Sequence, residues 1–388
     1  MIDIDWIRKK PEEVKNNLKK KFQDEKIKIV DEIIKLDKIC QKLNYRKTDI
    51  IKKNKLIDEI SFLLKEIPNF IHPSVPIGKN EIDNLEIKRV GQPKKFDFKP
   101  KNHVELIESL GVADFDSSAK TSGNGFYYLI GDLALLNQAL IRFGIDFMKK
   151  KGYTYIETPL MLNKKSIYAS MDKKAIEESV YSIEKADLNL IGTSEQSLLS
   201  LHINDIIEEQ ELPKKYFSYS MCFRKEIGSH GINEKGLWRT HQFNKIEQFI
   251  FCRPEDSRNY YKELLENSEQ ILRLLNLPYR VLNICSGDLA NWKNESIDLE
   301  VWRPPIERYG EVVSLSNCTD YQARELEIYC KNKLGQKRIL HTLNDTAIAT
   351  SRIMVAILEN NQNEDGSIDI PENLQFYMLG KKKIIKQI

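Results

Sequence analysis

The sequence predicts an α+β fold, a largely antiparallel sheet flanked by helices and preceded by an N-terminal helical hairpin. Three observations carry that prediction. Apolar residues recur seven apart between Ile29 and Ile57, the spacing of a coiled-coil seam. Beyond residue 150, β-like runs follow one another without obligatory helices between them, which favours antiparallel pairing. Neither Gly-x-Gly-x-x-Gly nor Gly-x-x-x-x-Gly-Lys occurs, so neither a Rossmann nor a P-loop nucleotide site is indicated.

The elements follow in chain order. Residues 3–20 open with a short helical stretch, Pro11 standing at a helix start with Val14 and Leu18 on one face. Ile29, Leu36, Leu43, Ile50 and Ile57 form the heptad series. Ile33 and Cys40 fill the alternate seam position, and Lys47 and Asn54 interrupt it. A second register runs through Ile57, Ile60, Leu64 and Ile67. The register change and the KKNK run at 52–55 favour a helical hairpin over about 28–66 rather than one long helix. A plain packing or dimerisation coil has the same pattern. Pro68, Pro73 and Pro76 then break it, and a polar linker with a strand-like piece, Leu85–Val90, leads to residue 97. From residue 98 to 388 the texture is that of a second, larger domain. Helices are expected over Leu133–Lys150 and Ser257–Leu275. Strands are expected over Tyr153–Ile156, Lys215–Phe223, Gln242–Phe251, Tyr279–Ile284, Ile297–Trp302 and Glu311–Ser316.

Bulk properties narrow the class. Of 388 residues, 41% are hydrophobic and 30% charged, as in a globular protein of about two domains. The net charge of +3 is too small to prove a nucleic-acid partner, although lysines crowd the first hundred residues. The six cysteines include no Cys-x-x-Cys pair, which argues against structural zinc and for a cytoplasmic, reducing setting. No run approaches the roughly 18 apolar residues of a membrane span, and the N-terminus is no secretory signal.

The chemistry concentrates in FRKEIGSHGINEKGLWRTHQFNKIE, residues 223–247. A strand, a turn bearing Gly228, Gly231 and Gly236, and a returning strand would bring both ends onto one sheet face. Arg224 and Glu226, two apart on a strand, would share that face. The Arg224 guanidinium suits an α-phosphate. Phe243, with Arg239 and Glu247 beside it, suits an adenine held between ring and guanidinium, while Glu247 suits an ammonium. Thr193-Ser194-Glu195 reads as a helix N-cap that also presents Thr193 and Glu195 to a small polar amino acid. Glu311 and Ser314 are hard oxygen ligands of the kind Mg2+ takes beside phosphates. Arg352 lies on an apolar helix face and needs an anion, either a phosphate or a protein carboxylate.

Taken together, these segments resemble seryl-tRNA synthetases of the common bacterial type, which are class II aminoacyl-tRNA synthetases. YIETPL, ending near Pro159, resembles motif 1; residues 223–247 resemble motif 2; LNDTAIATSRIMVAILEN resembles motif 3. GTSE, LEVWRPP, SNCTDYQAR and IPENLQFYMLG resemble further family segments. The resemblance implies that Thr193, Ser194, Glu195, Arg224, Glu247, Asn344 and Thr346 surround L-serine. It implies an ATP site of Arg224, Lys225, Glu226, Arg239, Phe243, Glu311, Val312, Val313, Ser314 and Arg352. Mg2+ would sit on Glu311 and Ser314, and Arg224 and Arg352 would be catalytic. The implied reaction joins serine to ATP as seryl-adenylate and passes the seryl group to tRNA(Ser), with charging of tRNA(Sec) left open. The family pattern also implies a homodimer through the motif 1 region and tRNA contact by the helical arm.

The chain departs from that pattern in places. Asp345 and Ala347 stand where motif 3 usually has glycines, and Ser351 replaces the glycine before Arg352. YASMDKK at 168–174 differs from the expected glycine-rich loop, and the arm is short. Two other functions stay open at this point. One is amino-acid transfer to a carrier protein, which the retained arm argues against. The other is a non-catalytic binding module, which the presence of Arg224, Glu247, Glu311 and Arg352 argues against.

Overall fold

The structure, a computed structural model, describes residues 1–43, 47–227 and 235–386, with the backbone alone at 47 and 48. The expected Gly228 and Gly231, and the side chain of Lys47, lie outside the described residues. Helices α1 (Ile4–Lys9) and α2 (Pro11–Lys20) open the chain, and the arm is α3 (Ile27–Lys42) with α4 (Lys47–Glu66). Then come α5 (Gly131–Lys150), α6 (Ser194–Ser200), α7 (Ser257–Leu274) and α8 (Thr350–Asn360). The strands of the main sheet are β1 (Leu85–Val90), β2 (Thr154–Tyr155), β3 (Lys214–Phe223), β4 (Gln242–Cys252), β5 (Tyr279–Asn283), β6 (Glu295–Arg303), β7 (Arg308–Thr319) and β8 (His341–Ala349). Their spatial order is β1-β5-β6-β7-β8-β4-β3-β2. Each pairing is antiparallel except β2 with β3. The α+β expectation therefore holds, and the strand-like piece in the linker is the edge strand of this sheet.

One face of the sheet is apolar. Phe217, Ile246, Ile250, Leu299, Leu315 and Leu343 are fully buried there with Leu136 and Leu140 of α5, Leu264 and Ile271 of α7, and Ile353 and Ile357 of α8. The period-2 alternation of each strand sends the intervening side chains to the opposite face, where the cavity lies.

The arm is a hairpin, as expected, but its turn and seam differ from the sequence reading. α3 ends at Lys42 and α4 begins at Lys47, so the KKNK run lies inside α4 rather than between the two helices. The buried stripe of α3 is Val30, Ile33, Asp37 and Cys40: the expected seam residues Ile33 and Cys40 belong to it, whereas Ile29, Leu36 and Leu43 are only half-buried and Val30 and Asp37 are buried in their stead. Ile50 and Ile57 are exposed, whereas Ile60, Leu64 and Ile67 are buried. The reason is that α3 packs against α1 and α2 as well as α4, so its wetted face is narrower than in a two-helix coil. Asp37 is tolerated in the stripe because Arg8 donates to both of its oxygens, at 2.9 and 2.8 Å. Pro11 does begin α2, and Val14 and Leu18 are buried.

The N-terminal helices form their own apolar cluster, which reaches Trp292 and Tyr321 of the larger region. Leu64→Ala, removing a fully packed side chain from that cluster, is expected to cost about 2–4 kcal/mol. Ile51→Ala, at a position 57% exposed, is expected to stay within about 0.5 kcal/mol. Urea unfolding of the two variants checks the difference.

Candidate active site

The cavity opens on the polar face of β4, β7 and β8 and has a volume of about 450 Å3. β3 and β4 pair in register from Lys214↔Phe251 to Phe223↔Gln242. Phe243, Lys245 and Glu247, at alternate positions of β4, all line the cavity. Arg224 and Glu226 line it too, but not by strand parity. β3 ends at Phe223, and Glu226 turns inward through a left-handed backbone (φ 53°). Arg224 is fixed by its amide, which donates to His241 O at 2.9 Å, and by Nε, which donates to Gly192 O at 3.1 Å. Its guanidinium stands 5.4 Å from the centre of the Phe243 ring. Arg239 instead pairs with Glu226 at 2.9 Å, so the guanidinium beside Phe243 is that of Arg224.

At one end of the cavity two carboxylates converge. Thr193 caps α6 by accepting from the Glu195 amide at 3.2 Å. The Asn344 side chain donates to Glu195 at 3.1 Å and to Glu247 at 2.9 Å. Gln322 donates to Glu195 at 2.8 Å, Thr346 Oγ1 to Glu247 at 3.3 Å, and Lys245 pairs with Glu247 at 2.7 Å. Burial, then the nearby Glu247, pushes the Glu195 carboxyl above its ordinary range. A cationic amine placed here relieves that pressure.

The other end carries cations. The Arg352 guanidinium lies over Trp238, 5.6 Å from the ring centre, and donates to Glu311 O at 2.8 Å. It also pairs with the Glu311 carboxylate at 3.3 Å. That carboxylate is one of the two partners the sequence left open. Burial would raise Glu311, but Arg352, Lys293 and Arg224 outweigh it and hold the carboxyl below its ordinary range. Ser314 projects into the same space.

Three expected residues do not reach the cavity. Val313 points into the apolar core beneath the sheet, because on β7 it alternates with Val312 and Ser314, which face the site. Ser194 is fully buried on the inner side of α6, and Lys225 is absent from the lining. The remaining predicted residues are brought together around one space. Lys293, Lys245 and Trp238 were missed, although the Phe243–Glu247 periodicity marks Lys245 on the same face. Lys293 sits in an irregular loop with no periodic signal.

The motif 3 departures resolve structurally. Asp345 and Ala347 turn to the core side of β8 and are almost completely buried, leaving Asn344 and Thr346 to the cavity. In the 168–174 segment, Met171 lines the cavity and Asp172 caps the next helix.

Comparison with known proteins follows this geometry closely. Residues 179–361 match the tRNA synthetase class II core domain of the glycine, histidine, proline, serine and threonine enzymes. A serine–tRNA ligase of Methanospirillum hungatei is 42% identical over 98% of this chain and all of its own length. The chain belongs to the serine–tRNA ligases. It is accordingly a class II aminoacyl-tRNA synthetase. The seryl-tRNA synthetase of Pyrococcus horikoshii, solved with ATP, superposes with a TM-score of 0.91 at 38% identity, covering all of both chains. The cytoplasmic serine–tRNA ligase of Naegleria fowleri, solved with AMP, gives 0.93 at 34% identity over all of this chain and 99% of its own. The sequence relatives are archaeal, so the bacterial type expected above is not supported. The alignment to the Methanospirillum ligase runs over 423 positions, more than the 388 residues here, so this serine–tRNA ligase lacks segments that the relative carries.

Asp345 itself generates a stability prediction. Its Oδ2 accepts from Ser268 Oγ at 2.5 Å and Gln248 Nε2 at 3.1 Å, while Oδ1 has no partner among the described residues. Burial, only partly countered by Ser268, pushes its carboxyl well above the ordinary range, with Glu247 and Asp298 adding to the rise. With the folded pKa raised, this group's favourable contribution is fully present below the unfolded pKa of about 3.9 and is lost as pH rises toward the folded value. Asp345→Asn keeps an acceptor for both donors and removes that loss. Its Tm is expected to exceed the parent by roughly 3–6 °C at pH 8 and to converge with it near pH 4; calorimetry across this range is the measurement.

Proposed function

We propose that the cavity binds L-serine at the Glu195–Glu247 end and ATP along Phe243, Arg224 and Arg352, producing seryl-adenylate for transfer to tRNA(Ser). The observation that carries this is Asn344 bridging two buried carboxylates at one end of a space whose other end is lined by Arg224, Lys293 and Arg352. An amine and a polyphosphate need opposite charge environments, and the cavity has both.

Glu247 and Glu195 receive the serine ammonium, and Thr193 or Thr346 lies near its hydroxyl. Buried polar groups left unpaired by an analogue lacking that hydroxyl give selectivity. Phe243 carries the adenine face and Glu226 its edge. Arg224 holds the α-phosphate as the serine carboxylate forms a bond to phosphorus and pyrophosphate departs, and Arg352 holds the far phosphate. The terminal ribose hydroxyl of the tRNA then attacks the acyl carbon, releasing AMP. Positioning and charge stabilisation supply the rate, with little demand for acid–base groups.

Glu311, kept ionised by its cationic neighbours, and the Ser314 hydroxyl form a donor set of hard oxygens that fits Mg2+. Bound there, the ion would neutralise phosphate charge. Residues 1–97 carry the tRNA-binding arm and also lend the edge strand β1 to the sheet of the catalytic region, 98–388, in a cytoplasmic homodimer joined near Pro159. The exposed Leu160 and Met161 support that interface. No helix among the described residues is long and apolar enough to cross a membrane.

Serine-dependent pyrophosphate–ATP exchange tests the assignment. Arg224→Ala and Glu247→Ala are each expected to lower exchange by roughly 100-fold or more, with Glu247→Ala acting through serine and not ATP affinity. Exchange within twofold of the parent in both would overturn the residue roles.

The arm gives a second test. Val30, Ile33, Ile60 and Leu64 at its base are structural, so the informative deletion is distal. Replacing residues 41–55 by a short glycine linker is expected to reduce charging of tRNA(Ser) about tenfold or more while leaving exchange unchanged. Equal loss of both activities would assign the arm to the fold.

A further inference from the structure

His103 lies outside the motifs and has no part in the roles above. It is the first residue of the helix His103–Leu110, set there by a capping box of Asn102 and Glu105, and it is almost fully buried. Its Nε2 accepts from the Leu237 amide at 3.2 Å. An amide N–H can only donate, so Nε2 is the bare nitrogen of a neutral ring and Nδ1 carries the proton. Nδ1 then donates to Glu359 Oε1 at 3.1 Å. Glu359, wholly buried, also accepts from the Arg303 guanidinium at 2.8 and 2.7 Å. Burial would raise its carboxyl, but the hydrogen bonds from Arg303 and His103 outweigh it and hold the group below its ordinary range.

Leu237 stands on the returning limb of the 223–247 hairpin, between two residues with little room to move. Gly236 before it has φ 142°, and a Cβ there would overlap His103 Nε2. Trp238 after it lines the cavity, and its ring centre lies 4.2 Å from the Arg303 guanidinium and 5.6 Å from that of Arg352. A Cβ on Gly310 of β7 would overlap the same ring. Arg352 Nε also donates to the Trp238 carbonyl at 3.4 Å. Arg352 and Glu359 are seven apart on α8, two turns, and so share a face of that helix. One end of α8 therefore holds His103 and Arg303 and the other carries Arg352, with Leu237 and Trp238 tied to both.

The consequence is positional. Trp238 is the ring against which the Arg352 guanidinium rests, and the backbone that presents that ring hangs on the imidazole acceptor. We propose that His103 is a positioning residue of the ATP site: by accepting from Leu237 and donating to Glu359 it fixes Trp238, and through Trp238 the orientation of Arg352. The inference rests on the reading of Arg352 as a ligand of the far phosphate.

Serine-dependent pyrophosphate–ATP exchange by the full-length protein tests it. His103→Leu is expected to raise the KM for ATP about tenfold or more while leaving the KM for serine within twofold. His103→Gln, whose amide oxygen can accept from Leu237 in place of Nε2, should recover most of that loss, whereas a general weakening of the fold would move both constants together. Gly236→Ala displaces the imidazole from the other side without removing any side-chain donor or acceptor, and it should reproduce the split; it decides the matter if His103→Leu does not fold. A KM for ATP within twofold of the parent in these variants, or both constants raised alike, overturns the proposal. Arg352→Ala separates the underlying reading. If its KM for ATP is unchanged, the far-phosphate role falls and the proposal with it. A raised value there beside an unchanged one in His103→Leu removes the anchor alone.

Discussion

Glu247 holds a carboxylate with no solvent exposure in the middle of the sheet. Burying an ionised carboxylate costs several kcal/mol unless its oxygens are satisfied. The satisfaction comes from Lys245 on its own strand and from Asn344 and Thr346 on β8. The two from β8 depend on one register, in which Thr346 lies opposite Glu247. A one-residue slip of β8 would turn Asp345 toward the cavity and drive Asn344 and Thr346 into the apolar layer under the sheet. Core packing on one face and carboxylate satisfaction on the other therefore specify the same alignment.

From that alignment the charge pattern follows. Asn344 cannot serve Glu247 without also meeting Glu195, because its amide reaches both. The cavity consequently gathers negative charge where α6 and β8 approach. The arginines enter from elsewhere, Arg224 from the end of β3 and Arg352 from the first turn of α8. Two sources of backbone supply two signs of charge, and the space between them suits a molecule with an amine at one end and phosphates at the other.

Much of this was legible in the residues, for physical reasons. Phe243 and Glu247 share a face because a strand alternates, and Thr193 caps a helix because its oxygen reaches the amide two residues on. What was illegible depended on tertiary context. Parity failed for Arg224 and Glu226 because the strand had already ended and Glu226 adopts a left-handed backbone. The heptad reading placed Ile33 and Cys40 correctly in the buried stripe of α3 but put Ile29 and Leu36 where Val30 and Asp37 are buried, because that helix meets three neighbours rather than one. Asp345 looked like a defect in a glycine turn. In the structure it is a core-side residue whose neighbours, Ser268 and Gln248, come from distant parts of the chain.

The loop before β6 extends the argument to the N-terminal helices. Lys21, almost fully buried, donates to Leu289 O at 2.7 Å, and Gln23 donates to Asn291 Oδ1 at 2.8 Å. Asn69 and Phe70 bind the next residues of the same loop, and Trp292 packs into the N-terminal apolar cluster while also lining the cavity. Burial lowers Lys21 to about 7 and the Met1 ammonium to about 5. At those values neither amine is fully charged at neutral pH, and each is satisfied by donating to a backbone carbonyl of the catalytic region. A segment retained only to extend an arm toward a nucleic acid has no need of such contacts. Moving the base of the arm breaks the hydrogen bonds that hold Trp292 and Lys293, so the helices at the N-terminus are part of the wall of the active site.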